Sequence, residues 1–269
     1  MDVQERERLA RECARIALKA GAAILTIYES DHEVREKDDR SPVTAADEAG
    51  ERIILAELDR IAPGVPVLAE ESAAAGRFPS SVERLFLVDP LDGTKEFIKR
   101  NGEFTVNIAL AEAGVPVLGC VYAPAKGVLY YAFGPGEAFA REVEAKAGEE
   151  RPALRAERRI AARPAPADGM VAVASRSHRD TKTEEYLANY KIKDLAAAGS
   201  SLKFCLVAEG AADIYPRHGT TMEWDTAAGD AVLRAAGGSV VDLDGTPLRY
   251  GKTADGFKNP HFVAWGRRG

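Results

Sequence analysis

Near the N-terminus apolar side chains recur at helical spacing: Leu9, Cys13, Ile16, Ala17, Ala20, Ile24 and Ile27. That period places them on one face of a helix over about residues 3–29. Residues 31–40 are dense in charge and predict a loop. Thr44 then suits a helix N-cap, with Asp47 in the first turn, where negative charge is favourable. That structural role accounts for Asp47 by itself. Two short apolar runs, 65–69 and 85–88, read as buried strands. Residues 105–112, 115–122 and 127–133 are apolar and β-branched, divided by tight turns, and predict an antiparallel meander. A charged stretch without strong apolar period, 141–159, predicts the join between two halves, 1–160 and 161–269. Beyond it, strands at 169–174, 212–215 and 239–241 alternate with helices at 181–190, 200–209 and 225–236, the mark of an α/β half.

Acids collect where these strands stop. The run Leu85–Val88 ends at Asp89; Pro90 predicts a turn, and Asp92, Gly93 and Thr94 open a short helix. Two carboxylates three residues apart before a helix N-terminus suit a divalent metal and a phosphate. Asp-Pro and Asp-Gly also describe an ordinary turn. The earlier strand ends at Glu70-Glu71, which equally suits solvated surface. Trp224-Asp225-Thr-Ala-Ala-Gly places Asp225 as the N-cap of a helix rich in small residues, able to approach its neighbour closely. His178 lies in a Ser-rich strand end, where a surface role is equally open.

Composition narrows the partners. In 269 residues there are 36 Lys plus Arg and 42 Asp plus Glu, a net charge of −6, which gives nucleic acid no general attraction. The longest uncharged run is too short and too rich in Pro and Gly to span a bilayer. A charged start without a signal-peptide pattern and three scattered cysteines predict a reduced, cytoplasmic setting.

Taken together, Asp89-Pro-Leu-Asp92-Gly-Thr94, Ala69-Glu70-Glu71 and Trp224-Asp225-Thr-Ala-Ala-Gly resemble the metal-binding motifs of the Mg²⁺-dependent, lithium-sensitive inositol monophosphatase superfamily. Ser41-Pro-Val-Thr-Ala-Ala-Asp47 resembles its upstream motif. Within it, Asp92-Gly-Thr-Lys-Glu-Phe-Ile, Gly199-Ser-Ser-Leu-Lys203 and Asp213-Ile-Tyr-Pro-Arg217 are similar to bacterial 3′(2′),5′-bisphosphate nucleotidases of the CysQ type. The resemblance implies an α/β (α+β) fold, a layered αβαβα sandwich. It implies removal of the 3′-phosphate of 3′-phosphoadenosine 5′-phosphate, a reaction tied to sulfur metabolism, with two Mg²⁺, or three, per site. Glu70, Asp89, Asp92, Asp225 and the Leu91 carbonyl would hold metal. Asp47 and Thr94 would activate water, and Gly93 and Thr94 would face the transferred phosphate. His178, Ser200, Lys203 and Arg217 would contact the nucleotide. Inositol monophosphatase or fructose 1,6-bisphosphatase activity and a noncatalytic nucleotide sensor remain the alternatives. The expected form is a monomer or homodimer binding a small bisphosphate nucleotide, with peripheral attachment to the inner membrane left open.

Overall fold

The computed structural model describes residues 1–30, 42–175 and 181–267. Helix α1 (Val3–Glu29) starts at Asp2, whose carboxylate accepts from the Glu5 N–H at 2.8 Å. Helix α2 (Pro42–Ile61) packs beside it and begins two residues before Thr44. Thr44 therefore lies within the first turn and does not cap it; Pro42, which has no N–H to satisfy, is suited to a helix start. The loop expected over 31–40 and His178 lie outside the described residues.

Both helices cover one face of a large sheet. Its strands are β1 (Val67–Ala69), β2 (Arg84–Asp92), β3 (Thr105–Glu112), β4 (Val115–Ala123), β5 (Val128–Ala132) and β6 (Ala138–Glu144). The two-residue strands β7 (Ala153–Leu154) and β8 (Arg158–Arg159) pair with β6. The stretch read as a join is thus the edge of this sheet, where charged side chains face solvent and leave no apolar period. Alternation sorts the faces. Val106, Ile108, Leu110, Cys120 and Tyr122 meet α1 and α2, while Ala109, Ala111, Val121 and Ala123 face the opposite way.

The second sheet holds β9 (Met170–Ser175), β10 (Ile192–Ala198), β11 (Ile214–Arg217), β12 (Ser239–Asp242) and β13 (Phe262–Trp265), in the order β10-β9-β11-β13-β12. Two of these strands were unforeseen. Edge strand β10 carries Lys193 and Asp194 and lacks a clean apolar alternation, and β13 has only four residues. Between the sheets run α3 (Leu202–Ala208) and α4 (Glu223–Ala235), while the short helix Thr181–Leu187 packs on the outer face of the second sheet. The architecture is the expected αβαβα sandwich. Close approach of α4 to the first sheet depends on small residues. A Cβ added at Gly119 would stand 2.5 Å from the Ala228 carbonyl and 2.7 Å from the Ala231 methyl.

Candidate active site

Strand pairing brings the acids together. Strands β1 and β2 are parallel, with Ala69 opposite Val88, so Glu70 and Asp89 emerge side by side at one sheet end. Strand β2 does not stop at Asp89 as expected but continues through Pro90 to Asp92. Asp89 pairs with Asn107 and Asp92 with Thr105, so β2 spends one extra residue there, a bulge. A bulge accommodates proline and re-aims the side chains that follow. The Leu91 N–H donates to Asp89 Oδ1 at 2.9 Å. Gly93 has φ +104°, and a Cβ there would lie 2.2 Å from Ser200 Oγ, so the turn requires glycine. A single helical turn, Thr94–Ile98, follows, as another (Glu70–Ala74) follows β1.

The second half closes the site. Asp225 is the third residue of α4, not its N-cap, and its Oδ2 accepts from the Met222 N–H at 2.7 Å. Ser200 has φ +51°, and its hydroxyl sits 2.7 Å from the carbonyls of both Asp92 and Glu103. Having one proton, it donates to one of them at a time. Lys203 is 4% exposed; its Nζ donates to the Ser200 carbonyl at 2.6 Å and stands 5.3 Å from the Tyr215 ring centre. Arg217 Nη2 reaches the Thr220 carbonyl at 3.4 Å.

These groups line one cleft of about 320 Å³: Glu70, Asp89, Leu91, Asp92, Gly93, Thr94, Ser200, Lys203, Arg217 and Asp225 all border it. Asp47 does not line it but lies buried on α2 beside Glu70. Glu96, Tyr215, Thr221 and Thr226, to which the motifs assign no role, also line the cleft. Tyr215 was detectable, because it sits two residues before Arg217 on a strand and so shares its face. Thr226 follows Asp225 in the Trp-Asp-Thr motif, whereas Thr221 carried no signal, since its place depends on how α4 is seated.

The electrostatics describe an acid-crowded site. Burial, with Glu70 and other acids nearby, pushes Asp47 up to about 8. Burial and Asp92 raise Glu70 to about 7, and the same two causes take Asp225 to about 8. Asp89 is pushed well above the usual carboxylate range by burial and by Glu70, Asp92 and Asp225. Asp92 is raised by burial, against the pull of Lys203. Burial in turn lowers Lys203 to about 8. An all-oxygen set of carboxylates plus the Leu91 carbonyl is the donor chemistry that Mg²⁺ selects. Among the described residues, no three His, Cys, Asp or Glu side chains already converge on a metal-sized point.

The profile of the inositol monophosphatase family matches residues 5–261. The chain belongs to that family. It is 47% identical over 254 residues to the 3′(2′),5′-bisphosphate nucleotidase CysQ of Salmonella typhimurium, covering 93% of this chain and 97% of the relative. The corresponding Escherichia coli protein is 46% identical with the same coverage. Among solved structures, CysQ from Bacteroides thetaiotaomicron superposes with a TM-score of 0.82 at 42% identity, covering 97% of this chain and 98% of that one. An inositol monophosphatase from Anabaena superposes at 0.70 with 27% identity, covering 96% of this chain and 90% of that one.

Proposed function

We propose that this chain is a Mg²⁺-dependent 3′(2′),5′-bisphosphate nucleotidase that hydrolyses 3′-phosphoadenosine 5′-phosphate to AMP and phosphate. The observation that carries the reading is a cleft lined by four acids and by a cation that is not buried among them. Glu70, Asp89, Asp92 and Asp225 form its acidic pole, Lys203 is buried against Asp92, and Arg217 stands partly exposed on the wall. A second phosphate on the substrate gives Arg217 a partner, and inositol monophosphate has no second phosphate. Likeness to nucleotidases at 46–47% identity over nearly the full length of both chains supports the same substrate class. Family members are metal-dependent phosphatases, and no helix among the described residues is long and apolar enough to cross a membrane.

Glu70, Asp89, Asp92, Asp225 and the Leu91 carbonyl would hold the metal. Bound there, Mg²⁺ supplies a lowered water pKa and positive charge against the phosphoryl oxygens. Thr94, which lines the cleft, orients the attacking water, and Asp47, buried beside Glu70, receives its proton through Thr94. The Gly93 and Thr94 N–H groups face the transferred phosphoryl group. Arg217 holds the 5′-phosphate, and Lys203 offsets the charge of Asp92 beneath it. Ser200 braces the loop that carries Asp92 and Gly93. The family resemblance adds His178 as a nucleotide contact.

The test is phosphate release with Mg²⁺ from 3′-phosphoadenosine 5′-phosphate, its sulfated form, 3′-AMP, inositol 1-phosphate and fructose 1,6-bisphosphate. The bisphosphate nucleotide is expected to give the highest kcat/KM. Faster turnover of inositol 1-phosphate would overturn the assignment, and no release from any of them would favour the sensor.

A further inference from the structure

The α4 side of the cleft is gripped from behind by a segment that does not line it. Asn259 Nδ2 lies 2.7 Å from the Met222 carbonyl, 3.0 Å from Thr226 Oγ1 and 3.2 Å from Thr221 Oγ1. Its Oδ1 accepts from Lys252 Nζ at 3.2 Å, and its backbone N–H donates to the Thr221 carbonyl at 2.9 Å. A carbonyl only accepts and an ammonium only donates, so these partners permit one orientation of the amide.

A second grip comes from the same segment. Glu223, fully buried, pairs with Lys252 at 2.7 Å and accepts from the N–H groups of Gly251 at 2.6 Å and Lys252 at 2.8 Å. The Glu223 N–H donates to the Phe257 carbonyl at 2.9 Å. The gripped residues run from Thr221 to Thr226 and enclose Asp225, whose carboxylate is itself tied to the Met222 N–H. An acid in the first turn of a helix can be no better placed than the turn that carries it.

We propose that Asn259 is a positioning residue for the cation site: by clamping residues 221–226 it sets where the Asp225 carboxylate stands. This rests on the reading of Asp225 as a metal ligand. Partners that hold metal ligands from outside typically change metal affinity by about 10- to 100-fold when removed.

The test measures Mn²⁺ binding to the purified, substrate-free chain from the electron paramagnetic resonance signal of free Mn²⁺. Asn259→Ala is expected to weaken binding about tenfold. It should raise the Mg²⁺ concentration for half-maximal phosphate release by a similar factor while leaving KM for the bisphosphate unchanged. Asn259→Asp keeps the shape but sets an oxygen against the Met222 carbonyl. It too should weaken binding, although its added negative charge alone would tighten it, and it decides the matter if the alanine variant does not fold. Leu18→Ala, in the core of α1, serves as the control and should lose thermal stability with no change in Mn²⁺ affinity. Unchanged Mn²⁺ binding in the Asn259 variants, with binding lost in Asp225→Asn, would overturn the positioning role and leave the metal assignment standing. Unchanged binding in Asp225→Asn would remove the assignment and the positioning role together.

Discussion

The Ser200 hydroxyl lies 2.7 Å from the main-chain carbonyl of Asp92, joining the second half of the chain to the bulge that aims the acids. The same hydroxyl meets the Glu103 carbonyl, and the neighbouring Ser201 Oγ lies 2.6 Å from Asn107 Oδ1 and 2.9 Å from Thr105 Oγ1. Ser200 therefore serves the site as a brace. Ser200→Ala should lower stability by about 1–3 kcal/mol, the cost of leaving a buried acceptor unmatched. It should lower kcat more than it raises KM for the bisphosphate. A rise in KM at constant kcat and Tm would restore the role of direct nucleotide contact.

Asp92→Asn keeps the shape of the side chain but removes a charge from the acidic pole. With saturating Mg²⁺, kcat should fall roughly a hundredfold or more, about 3 kcal/mol of transition-state stabilisation. Steady-state assays over a range of Mg²⁺ concentrations check this, and activity within about threefold of wild type, under ~1 kcal/mol, would sink the role.

Arg217 and Lys203 should part company on two substrates. Arg217 is partly exposed on the cleft wall, and a charge-assisted hydrogen bond is worth about 1.5–3 kcal/mol. Arg217→Ala should then lower kcat/KM for 3′-phosphoadenosine 5′-phosphate by roughly 10- to 150-fold and leave 3′-AMP nearly untouched. Lys203 is buried against Asp92, so Lys203→Ala strips an acid of its counter-charge and should depress both substrates. Selective loss on the bisphosphate in Lys203→Ala would instead make it a second reader of the 5′-phosphate.

Stability of the metal-free protein should fall as pH rises. Asp47 and Asp225 are raised to about 8 and Glu70 to about 7 from ordinary values near 4. Their protonated forms favour the fold fully below the unfolded values, and that contribution is lost as pH climbs through the folded ones. The window runs from about pH 4 to about pH 8. Bound Mg²⁺ favours the ionised acids and should offset the loss. At a hundred times its Kd a ligand adds about 2.7 kcal/mol. Thermal melts at pH 5 and pH 8, with Mg²⁺ and with chelator, check this; an Mg²⁺ shift in Tm no larger at pH 8 would count against a metal held by these groups.

The sequence by itself determined the elements that carry their own local signal and the chemistry at their ends. The period of α1, the meander from 105 to 133, and acids at the ends of two apolar runs all depend on near neighbours in the chain. Motif spacing added Asp225 and, by resemblance, the αβαβα layering. Tertiary structure decided what depends on distant partners. Pro90 reads as a stop until the bulge against β3 shows how the strand passes it. Strand β10 has no alternation to read because only pairing with β9 makes it a strand. Lys203 and Arg217 look alike as cations in sequence. Burial against Asp92 separates them, because desolvation depends on what packs around a charge and not on which residues precede it. Asn259 belongs to the same class, since its grip on Thr221 and Thr226 exists only where a loop more than thirty residues away folds back onto α4.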